Sequence, residues 1–459
     1  MTAEAMERPL RRRVSSAGAW SMGQFGASLG VRMVSNMILT RLLLPEAFGV
    51  MAVVGVLTVA LALLSDLGIG QNVIVHKRGS DPTFLNTAWT VQIARGFFIW
   101  SLAIVLAIVI SVLAPLGVFA PDTVYVDPRL PLVLVAGTFA AVLQGLESTR
   151  IHEARRNLQL RRLTELEFGA QMAGFVVTLA LAYTWPSIWA LVLGALFAAF
   201  IRMAASHLVL PGHANRIGWD RDSWTEIFGF GRWIFVSSLI GVLFTTGDRL
   251  ILGGLVDAHV LGLYAIAALL LSVFQTAVNT LAGTVAFPAL SELARTDTAA
   301  FRKSYFTFQA GADAVLGLCA GGLFVTGPLI VSILYDPRYA ESGAMLSLLA
   351  VGLVGMKFCV TEQCYMATKR MGYYLCTNAI RLVVLVVGLP VGHSLFGLEG
   401  ALAAIVAAQF SSWPIAYAFK IRHNLFDWRF EGVVIPAVAL GLLLGYLVLA
   451  GARALGWAA

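Results

Sequence analysis

The stretch DRLILGGLVDAHVLGLYAIAALL, residues 248–270, decides the fold because an earlier stretch follows the same plan. In TRLLLPEAFGVMAVVGVL, residues 40–57, an arginine and three aliphatic residues also end one apolar segment. In both stretches a short turn follows, and a bulky residue and a glycine then begin the next segment, so that Phe48-Gly49 corresponds to Leu261-Gly262. The correspondence predicts two halves that are parallel repeats of six membrane spans each.

The composition of the whole chain indicates a membrane protein. Of the 459 residues, 59% are apolar and 12% are charged, whereas about a quarter of the residues in a soluble domain are charged. Apolar runs of about 20 residues, the length that crosses a bilayer as a helix, recur along the chain. We therefore expect an all-α integral membrane protein with about 13 transmembrane helices. They should form two six-helix bundles related as parallel repeats, plus an extra C-terminal helix.

The predicted spans also give the domain boundaries. An N-terminal six-helix bundle should occupy residues 1–210, a C-terminal six-helix bundle residues 211–425, and the extra transmembrane helix residues 426–459. The apolar spans are residues 16–40, 48–68, 86–113, 130–148, 165–184, 186–207, 228–252, 260–289, 304–334, 342–367, 372–392, 398–419 and 432–450.

The distribution of basic residues predicts the orientation. With the N-terminus in the cytoplasm, 21 of the 32 Lys and Arg residues fall in cytoplasmic segments and five in the opposite loops or span ends. Cytoplasmic loops are enriched in basic residues, so the count favours a cytoplasmic N-terminus. The basic residues are spread over short loops and form no single soluble face, so the net charge of +7 does not indicate a nucleic-acid partner.

Motifs of enzymes and metal sites are absent from the sequence. The four cysteines form no CxxC pair, the seven histidines form no HExxH motif, and no GxxxxGK[ST] loop is present. No predicted outer loop is long enough to carry a catalytic carboxylate pair, as an integral-membrane glycosyltransferase or polymerase would need. We therefore expect a transporter and no enzyme, with neither a metal nor a cofactor.

Five segments resemble one known family of membrane proteins, the bacterial polysaccharide repeat-unit flippases. These form the Wzx/WzxC-like branch of the MOP (multidrug/oligosaccharidyl-lipid/polysaccharide) exporter superfamily. The similar segments are LTRLLLPEAFGVMAVVGVLTVALALLSDLGIGQNVIVHK (39–77), LNTAWTVQIARG (85–96), RRNLQLRRLTELE (155–167), GDRLILGGLVDAHVLGLYAIA (247–267) and VAFPALSEL (285–293). The resemblance fades after about residue 420, and the thirteenth span departs from the twelve or fourteen helices of the family.

The resemblance implies a function at the bacterial inner membrane. A family member moves undecaprenyl-pyrophosphate-linked oligosaccharide repeat units to the outer leaflet by alternating access, as a step of polysaccharide biosynthesis. The implied partners are this lipid-linked substrate, membrane lipids and the polysaccharide polymerase machinery. The alternatives are a multidrug/cation antiporter or a lipid II flippase of the same superfamily. An antiporter should prefer acidic groups in its cavity, and this sequence has more deep cations than deep anions.

Polar residues inside the spans are the candidate substrate-binding residues. In the first span Gln24, Ser28, Arg32 and Asn36 recur every four residues and share one helix face. Later spans carry Gln275, Asn279, Lys357, Asn378 and Arg381, and Gln92 and Arg95 share a face of the third span. Glu362 lies off the face that Lys357 shares with Thr361. These residues predict a polar cavity with a positive bias, in which amides bind sugar hydroxyls and arginines bind phosphate oxygens.

Each candidate has an alternative role. Polar side chains in spans also join helices by hydrogen bonds, and Arg32, Lys357 or Arg381 in an intramembrane ion pair would have no contact with substrate. Asp248 and Arg249, with Arg41 at the corresponding place in the first half, are predicted to be gate or structural residues at the outer mouth, and direct substrate contact is the alternative. The basic segment 150–162 is a topology signal, an interfacial helix or an entrance for pyrophosphate.

Overall fold

The protein is helical throughout its described residues. The computed structural model describes residues 26–228, except 29, 64, 66, 67, 77 and 158, and residues 246–455, except 297 and 369. Within these ranges the regular elements are helices, and none is a β-strand. The prediction of an all-α integral membrane fold is therefore confirmed. The chain divides into two compact units, residues 1–243 and residues 244–459.

The first unit has ten helices in its described part. They are α1 (residues 26–42, without 29), α2 (Pro45–Leu63), α3 (Ile69–Val75), α4 (Pro82–Leu113), α5 (Leu130–Thr138), α6 (Ala140–Gly145), α7 (Arg150–Arg156), α8 (Leu160–Thr184), α9 (Ile188–Leu208) and α10 (residues 221–228). The start of α4 shows how local chemistry sets a boundary. The carboxylate of Asp81 accepts a hydrogen bond from the Thr83 amide, and Pro82 occupies the first turn, where no amide hydrogen is needed.

The second unit has eleven helices in its described part. They are α11 (residues 246–253), α12 (Ala258–Leu281), α13 (Phe287–Thr296), α14 (Thr298–Leu334), α15 (Glu341–Ala350), α16 (Gly352–Gly355), α17 (Cys359–Ala367), α18 (Met371–Phe410), α19 (Trp413–Arg422), α20 (Trp428–Glu431) and α21 (Val434–Ala454). Asp257 caps α12 by accepting a hydrogen bond from the Val260 amide at 2.7 Å.

Glycines let the helices of the first unit approach closely. A Cβ atom on Gly96 of α4 would lie 2.7 Å from the Ala141 carbonyl oxygen, and one on Gly145 of α6 would lie 2.9 Å from the Gln92 carbonyl oxygen. Apolar side chains gain little by association in a lipid environment, so membrane helices pack through such small residues. This crossing brings Gln92 against the end of α6.

The C-terminal helix is held in the second unit by the same means. At the crossing of α14 and α21, a Cβ atom on Gly321 or on Gly441 would collide with the backbone of the other helix. Glycine at both positions lets the two backbones meet along their length. The segment that the sequence marks as an extra helix therefore packs as an integral part of the second unit.

The structure is consistent with the predicted number of spans but does not determine the exact number. Nine helices in the described part of the chain are long and apolar enough to cross a membrane, and α5–α6 with α7, bent by 63°, form a broken candidate span. One of the nine covers Gly372–Arg422. Its 51 residues would be roughly 75 Å long as one helix, more than twice the hydrocarbon thickness. Gly397, with a φ of 62°, lies at a kink that separates two helices within it. The exact count of 13 stays a prediction.

The segment after α9 packs against the first unit. The side chain of Asn215 binds Ser148 at 2.6 Å, and the hydroxyl of Thr90 donates to the carbonyl of Gly218 at 2.9 Å. Arg78 contacts Asp81 at 2.9 Å and Glu226 of α10 at 3.6 Å, and its hydrogen bond lowers the pKa of Asp81. The first unit thus extends beyond residue 210, where the sequence placed the first domain boundary, and the three-domain division stays a prediction.

Candidate functional site

A polar cavity of about 350 Å³ lies in the first unit. Gln92 and Arg95 of α4 both line it, as their shared helix face predicts, and they are joined there by Glu147, His152 and Arg155. The helix formed by α5 and α6 ends at this cavity, and α7 leaves it at an angle of 63°. The cavity is therefore built around a break in a helix, where backbone carbonyls lose their partners in the next turn.

The polar side chains of this cavity mainly satisfy the broken backbone. The amide of Gln92 donates to the carbonyls of Gln144, Gly145 and Glu147 at 3.0, 3.2 and 3.1 Å. Arg95 donates to the carbonyl of Ala62 at 2.7 Å and to the hydroxyl of Ser65 at 3.3 Å. Unpaired carbonyls inside a membrane protein are costly, so these contacts assign Gln92 and Arg95 a structural role.

Two adjoining cavities of about 250 and 220 Å³ lie in the second unit. They share three polar side chains, Gln275 of α12 and Arg381 and Gln409 of α18. The first cavity is completed by Asn279, Met356, Cys359 and Glu362, and the second adds Asp248, Arg249, Tyr264 and Ser272 among apolar residues. The structure thus brings together Gln275, Asn279, Arg381, Asp248 and Arg249, five residues that the sequence selected.

An ion pair forms the wall of the first of these cavities. Nη1 of Arg381 lies 2.7 Å from Oε1 of Glu362, and the two side chains are 8% and 18% exposed. Both residues line the cavity. A guanidinium at this position can bind an anion in a planar, two-pronged geometry. In the structure its partner is a carboxylate of the same unit.

The second cavity carries a further pair of charged residues. The hydroxyl of Tyr264 donates to the carboxylate of Asp248, which fixes α12 to α11. The neighbouring Arg249 also lines the cavity, and its buried Nε has no hydrogen-bond partner among the described residues. Buried polar groups are normally hydrogen-bonded, so an unused donor beside a cavity is a feature of a ligand-binding surface.

Lys357 lies elsewhere, in a closed cluster of charged side chains. Its Nζ is 2.8 Å from a carboxylate oxygen of Glu431 and 3.9 Å from one of Asp313. Lys420 also contacts Glu431. Lys357 and Lys420 are 2% and 0% exposed, and neither lines the two cavities of this unit. The structure does not bring Lys357 to the other predicted substrate residues, and it buries Lys420, which directly follows the predicted span 398–419.

The remaining predicted residues are placed as follows. Gln24 lies outside the described residues. In α1, the backbone carbonyl of Ser28 accepts a hydrogen bond from Gln171 at 3.1 Å, the amide of Asn36 donates to the Arg32 carbonyl at 2.9 Å, and the side chains of Arg32 and Arg41 are exposed. Asn378 is partly exposed on α18, one turn before Arg381. Substrate contact by the α1 residues and gating by Arg41 stay predictions.

Sequence reasoning missed Glu362, Gln409 and Tyr264. Lys357 and Thr361 do share a face, but that face packs on α14, where Gln309 donates to the Lys357 carbonyl and contacts the Thr361 hydroxyl. The other side of α17 carries Glu362 to the cavity. The periodicity was therefore informative about which residues share a face, and uninformative about which face meets the cavity. A deep carboxylate near a deep arginine was the available signal.

The charged side chains that line the two cavities of the second unit are two arginines and two carboxylates, so the predicted positive bias of a substrate cavity stays a prediction. Arg381 is paired with Glu362, and Arg249 follows Asp248 in the chain and shares its cavity. Each deep cation of these cavities has an acidic neighbour because an unpaired charge in the membrane is expensive. In the described part of the chain, no group of three or more His, Cys, Asp or Glu residues could hold a metal ion.

Comparisons with known sequences show which proteins this chain resembles. The family model described as "Polysaccharide biosynthesis protein" matches residues 38–344. The chain is 23% identical over 421 residues to the lipopolysaccharide biosynthesis protein WzxC of Escherichia coli (strain K12), covering 90% of this chain and 82% of that protein.

Two solved structures share the fold. The lipid II flippase MurJ in an inward closed conformation matches with a TM-score of 0.67 and 10% identity over 94% of this chain and 92% of that one. An inward-facing multidrug resistance MATE family transporter of the MOP superfamily matches with a TM-score of 0.64 and 13% identity over 88% and 94%. These two proteins are named as a flippase and a transporter.

Proposed function

This chain belongs to the polysaccharide biosynthesis protein family, and we propose that it flips undecaprenyl-pyrophosphate-linked oligosaccharide repeat units across the bacterial cytoplasmic membrane. The head group is taken up from the cytoplasmic side and released on the outer side by alternating access. The lipid tail stays in the bilayer during the passage. Polysaccharide polymerase machinery is the proposed consumer of the product.

The cavity around Arg381 is the observation that carries the proposal. Arg381 and Arg249 supply guanidinium groups, which bind phosphate oxygens with charge-assisted and bidentate hydrogen bonds. Gln275, Gln409 and Asn279 supply amides that can both donate to and accept from sugar hydroxyls. Each cavity is smaller than the roughly 300–1,000 Å³ of a pocket for a drug-sized ligand. The two therefore suit the pyrophosphate and the first sugar, with the rest of the oligosaccharide outside them.

The residues of α1 are proposed as a second part of the path. Arg32 is exposed on the first unit, and its backbone carbonyl, not its guanidinium, binds Asn36. A cation in a span costs about 2.5–3.5 kcal/mol on insertion scales, so it is retained where it has a use. We assign Arg32 to phosphate contact during the passage, with Gln24, Ser28 and Asn36 along the same helix.

Export by cells with altered cavity residues tests the proposal. The double variant Glu362→Gln/Arg381→Gln removes both charges of the pair, so that neither is left buried alone. We expect lipid-linked repeat units to accumulate inside cells at normal protein levels, with export reduced at least about tenfold, the equivalent of about 1.4 kcal/mol of lost phosphate binding. Arg32→Ala should reduce export in the same assay. Glu341→Gln, which alters an exposed carboxylate, is the matched control, and normal export by the double variant would refute the site.

The orientation is a separate proposal. The N-terminus and the segment 150–162 are placed in the cytoplasm, and Asp257 and Asp336 in outer loops, because this arrangement puts most basic residues inside. In that segment Arg150 donates to the carbonyls of His207 and His213, at 2.5 and 3.0 Å. These contacts support a structural use of the segment's basic side chains. Impermeant thiol reagents should label cysteine at position 257 or 336 of intact cells. Labelling at position 156 would reverse the orientation.

The second candidate function is cation-coupled antiport of a small molecule, the alternative suggested by the multidrug resistance transporter with the same fold. The observation that favours it is the presence of two carboxylates, Asp248 and Glu362, in the cavities. A lipid II flippase is the third member of this set. Cells that lack the protein distinguish the three, because they should show loss of surface polysaccharide, increased drug sensitivity or arrested cell-wall synthesis, respectively.

A further inference from the structure

In the Glu362–Arg381 pair, a carboxylate occupies one of the positions at which an anion can bind the guanidinium. Arg381 lines both cavities of the second unit, and Nη1 of its guanidinium is 2.7 Å from Oε1 of Glu362. A guanidinium has a limited set of donors in a rigid fork. A phosphate that binds the fork formed by Nη1 and Nη2 of Arg381 therefore competes with the carboxylate of Glu362 for Nη1.

The displaced carboxylate has few alternatives. Glu362 is on α17, the side chain is 18% exposed, and its neighbours on the cavity wall include the apolar or weakly polar side chains of Met356 and Cys359. Arg381 is the charged group that interacts electrostatically with Glu362.

Other titratable residues surround Glu362. Its helix, α17, carries Cys359 and Tyr365, and the helices packed against α17 carry Glu292 on α13 and Tyr305 and Asp313 on α14. Asp313 contacts Lys357 and Gln309. A carboxylate without a cation in such surroundings is strongly disfavoured as the ionised form.

We propose that substrate binding exchanges the partner of Arg381 and adds a proton to Glu362. The pyrophosphate group replaces the Glu362 carboxylate at the guanidinium, and the released carboxylate takes one proton from water. The proton on Glu362 offsets the charge of the first phosphate. The charge of the second phosphate is assigned to Arg249. Glu362 is then the proton-carrying residue of the site, and it couples uptake of the anionic lipid head to uptake of a proton. This inference rests on the proposed function.

The sign of the pH effect follows from the exchange. Because binding takes up a proton, the affinity for the anion should rise as the pH falls. A diphosphodiester is the right probe because both its phosphates stay ionised across the neutral range, so that any pH dependence comes from the protein. Geranyl-pyrophosphoryl-N-acetylglucosamine is such a compound, with a lipid chain short enough to handle in detergent.

The test is calorimetric titration of the purified full chain with this probe. Titrations in two buffers with different heats of ionisation give the number of protons bound per molecule of probe. The wild type should take up close to one proton, and its Kd should therefore rise about tenfold between about pH 7 and about pH 8, the equivalent of about 1.4 kcal/mol. Glu362→Gln should bind without proton uptake, independently of pH, and about tenfold more tightly than the wild type at about pH 8. Glu341→Gln should behave like the wild type.

Other outcomes separate the failure of this inference from failure of the proposed function. If the wild type takes up no proton, and Glu362→Gln only weakens binding, Glu362 is a positioning residue and the exchange is refuted, while Arg381 remains the anion site. If Glu362→Gln/Arg381→Gln binds the probe as tightly as the wild type, the anion site itself is refuted. The proton count of the wild type needs no variant, so it remains decisive if a substitution prevents folding.

Discussion

Two groups of buried charges in the second unit use the same residue types for different purposes. The pair of Arg381 and Glu362 lies on a cavity wall, with side chains 8% and 18% exposed. The cluster of Lys357, Lys420, Asp313 and Glu431 is closed, and its two lysines and Asp313 are at most 2% exposed. Both groups balance positive against negative charge, as burial in a membrane protein requires. The difference lies in whether a ligand can reach the cation.

The closed cluster shows what such a group does when nothing can reach it. Glu431 is on α20, directly before the C-terminal helix α21, and it contacts both Lys357 and Lys420. Lys357 also donates to the backbone carbonyl of Glu431 at 2.8 Å. The cluster therefore ties α20 to the turn before α17 and to α19, while glycines hold α21 against α14. Charge in this region serves to hold the C-terminal segment in the second unit.

The largest expected effect is the loss of protein stability when a charge of the closed cluster is removed. Lys357→Met should destabilise the protein by about 3–5 kcal/mol, because it leaves an excess of buried carboxylate charge. The measurement is unfolding of the purified protein in detergent, followed by circular dichroism. Export should fall in proportion to the loss of folded protein.

Compensation distinguishes a charge effect from a packing effect at this site. The double variant Lys357→Met/Glu431→Gln removes one charge of each sign and should recover at least about half of the lost stability. Lys303→Met removes an exposed lysine of α14 and should change stability by less than about 0.5 kcal/mol. If Lys357→Met is as stable as Lys303→Met, the cluster is not the support that its geometry indicates.

The membrane fold could be predicted from the sequence because its signal is long. Apolar runs of about 20 residues, the basic loops and the caps at Asp81 and Asp257 are local features, and helices follow from them. The predicted spans that lie wholly in the described residues all fall on helices of the structure. The resemblance of segments such as 39–77 and 247–267 supplied the family, which the match to residues 38–344 confirms.

The site could be predicted only in part because the sequence does not show which neighbouring helix or cavity each helix face meets. Gln275, Asn279 and Arg381 were selected as deep polar residues, and the structure brings them together. Lys357 was selected by the same rule and belongs to the closed cluster. No local pattern tells which side of α17 meets α14 and which meets the cavity, since both sides carry polar residues. The break at Met356–Phe358, where a short 3₁₀ turn precedes α17, adds to this difficulty.

The smallest expected effect is on the stability of the cavity pair. Arg381→Gln alone should destabilise the protein by roughly 1–2 kcal/mol, less than Lys357→Met, because Glu362 at the cavity wall can take up a proton and is then not left as a buried charge. Glu362→Gln/Arg381→Gln leaves no charge without a partner, and two amides can still hydrogen-bond across the same gap. Its stability should lie within about 1 kcal/mol of the wild type. The same unfolding measurement that is used for the closed cluster gives both values.

A double variant as unstable as Lys357→Met would mean that this pair also holds the unit together, and the contrast between a cavity pair and a closed cluster would then be lost. Near-native stability combined with failed export would show that the pair is needed for transport and not for stability, because its charges would then matter only when an anion is bound.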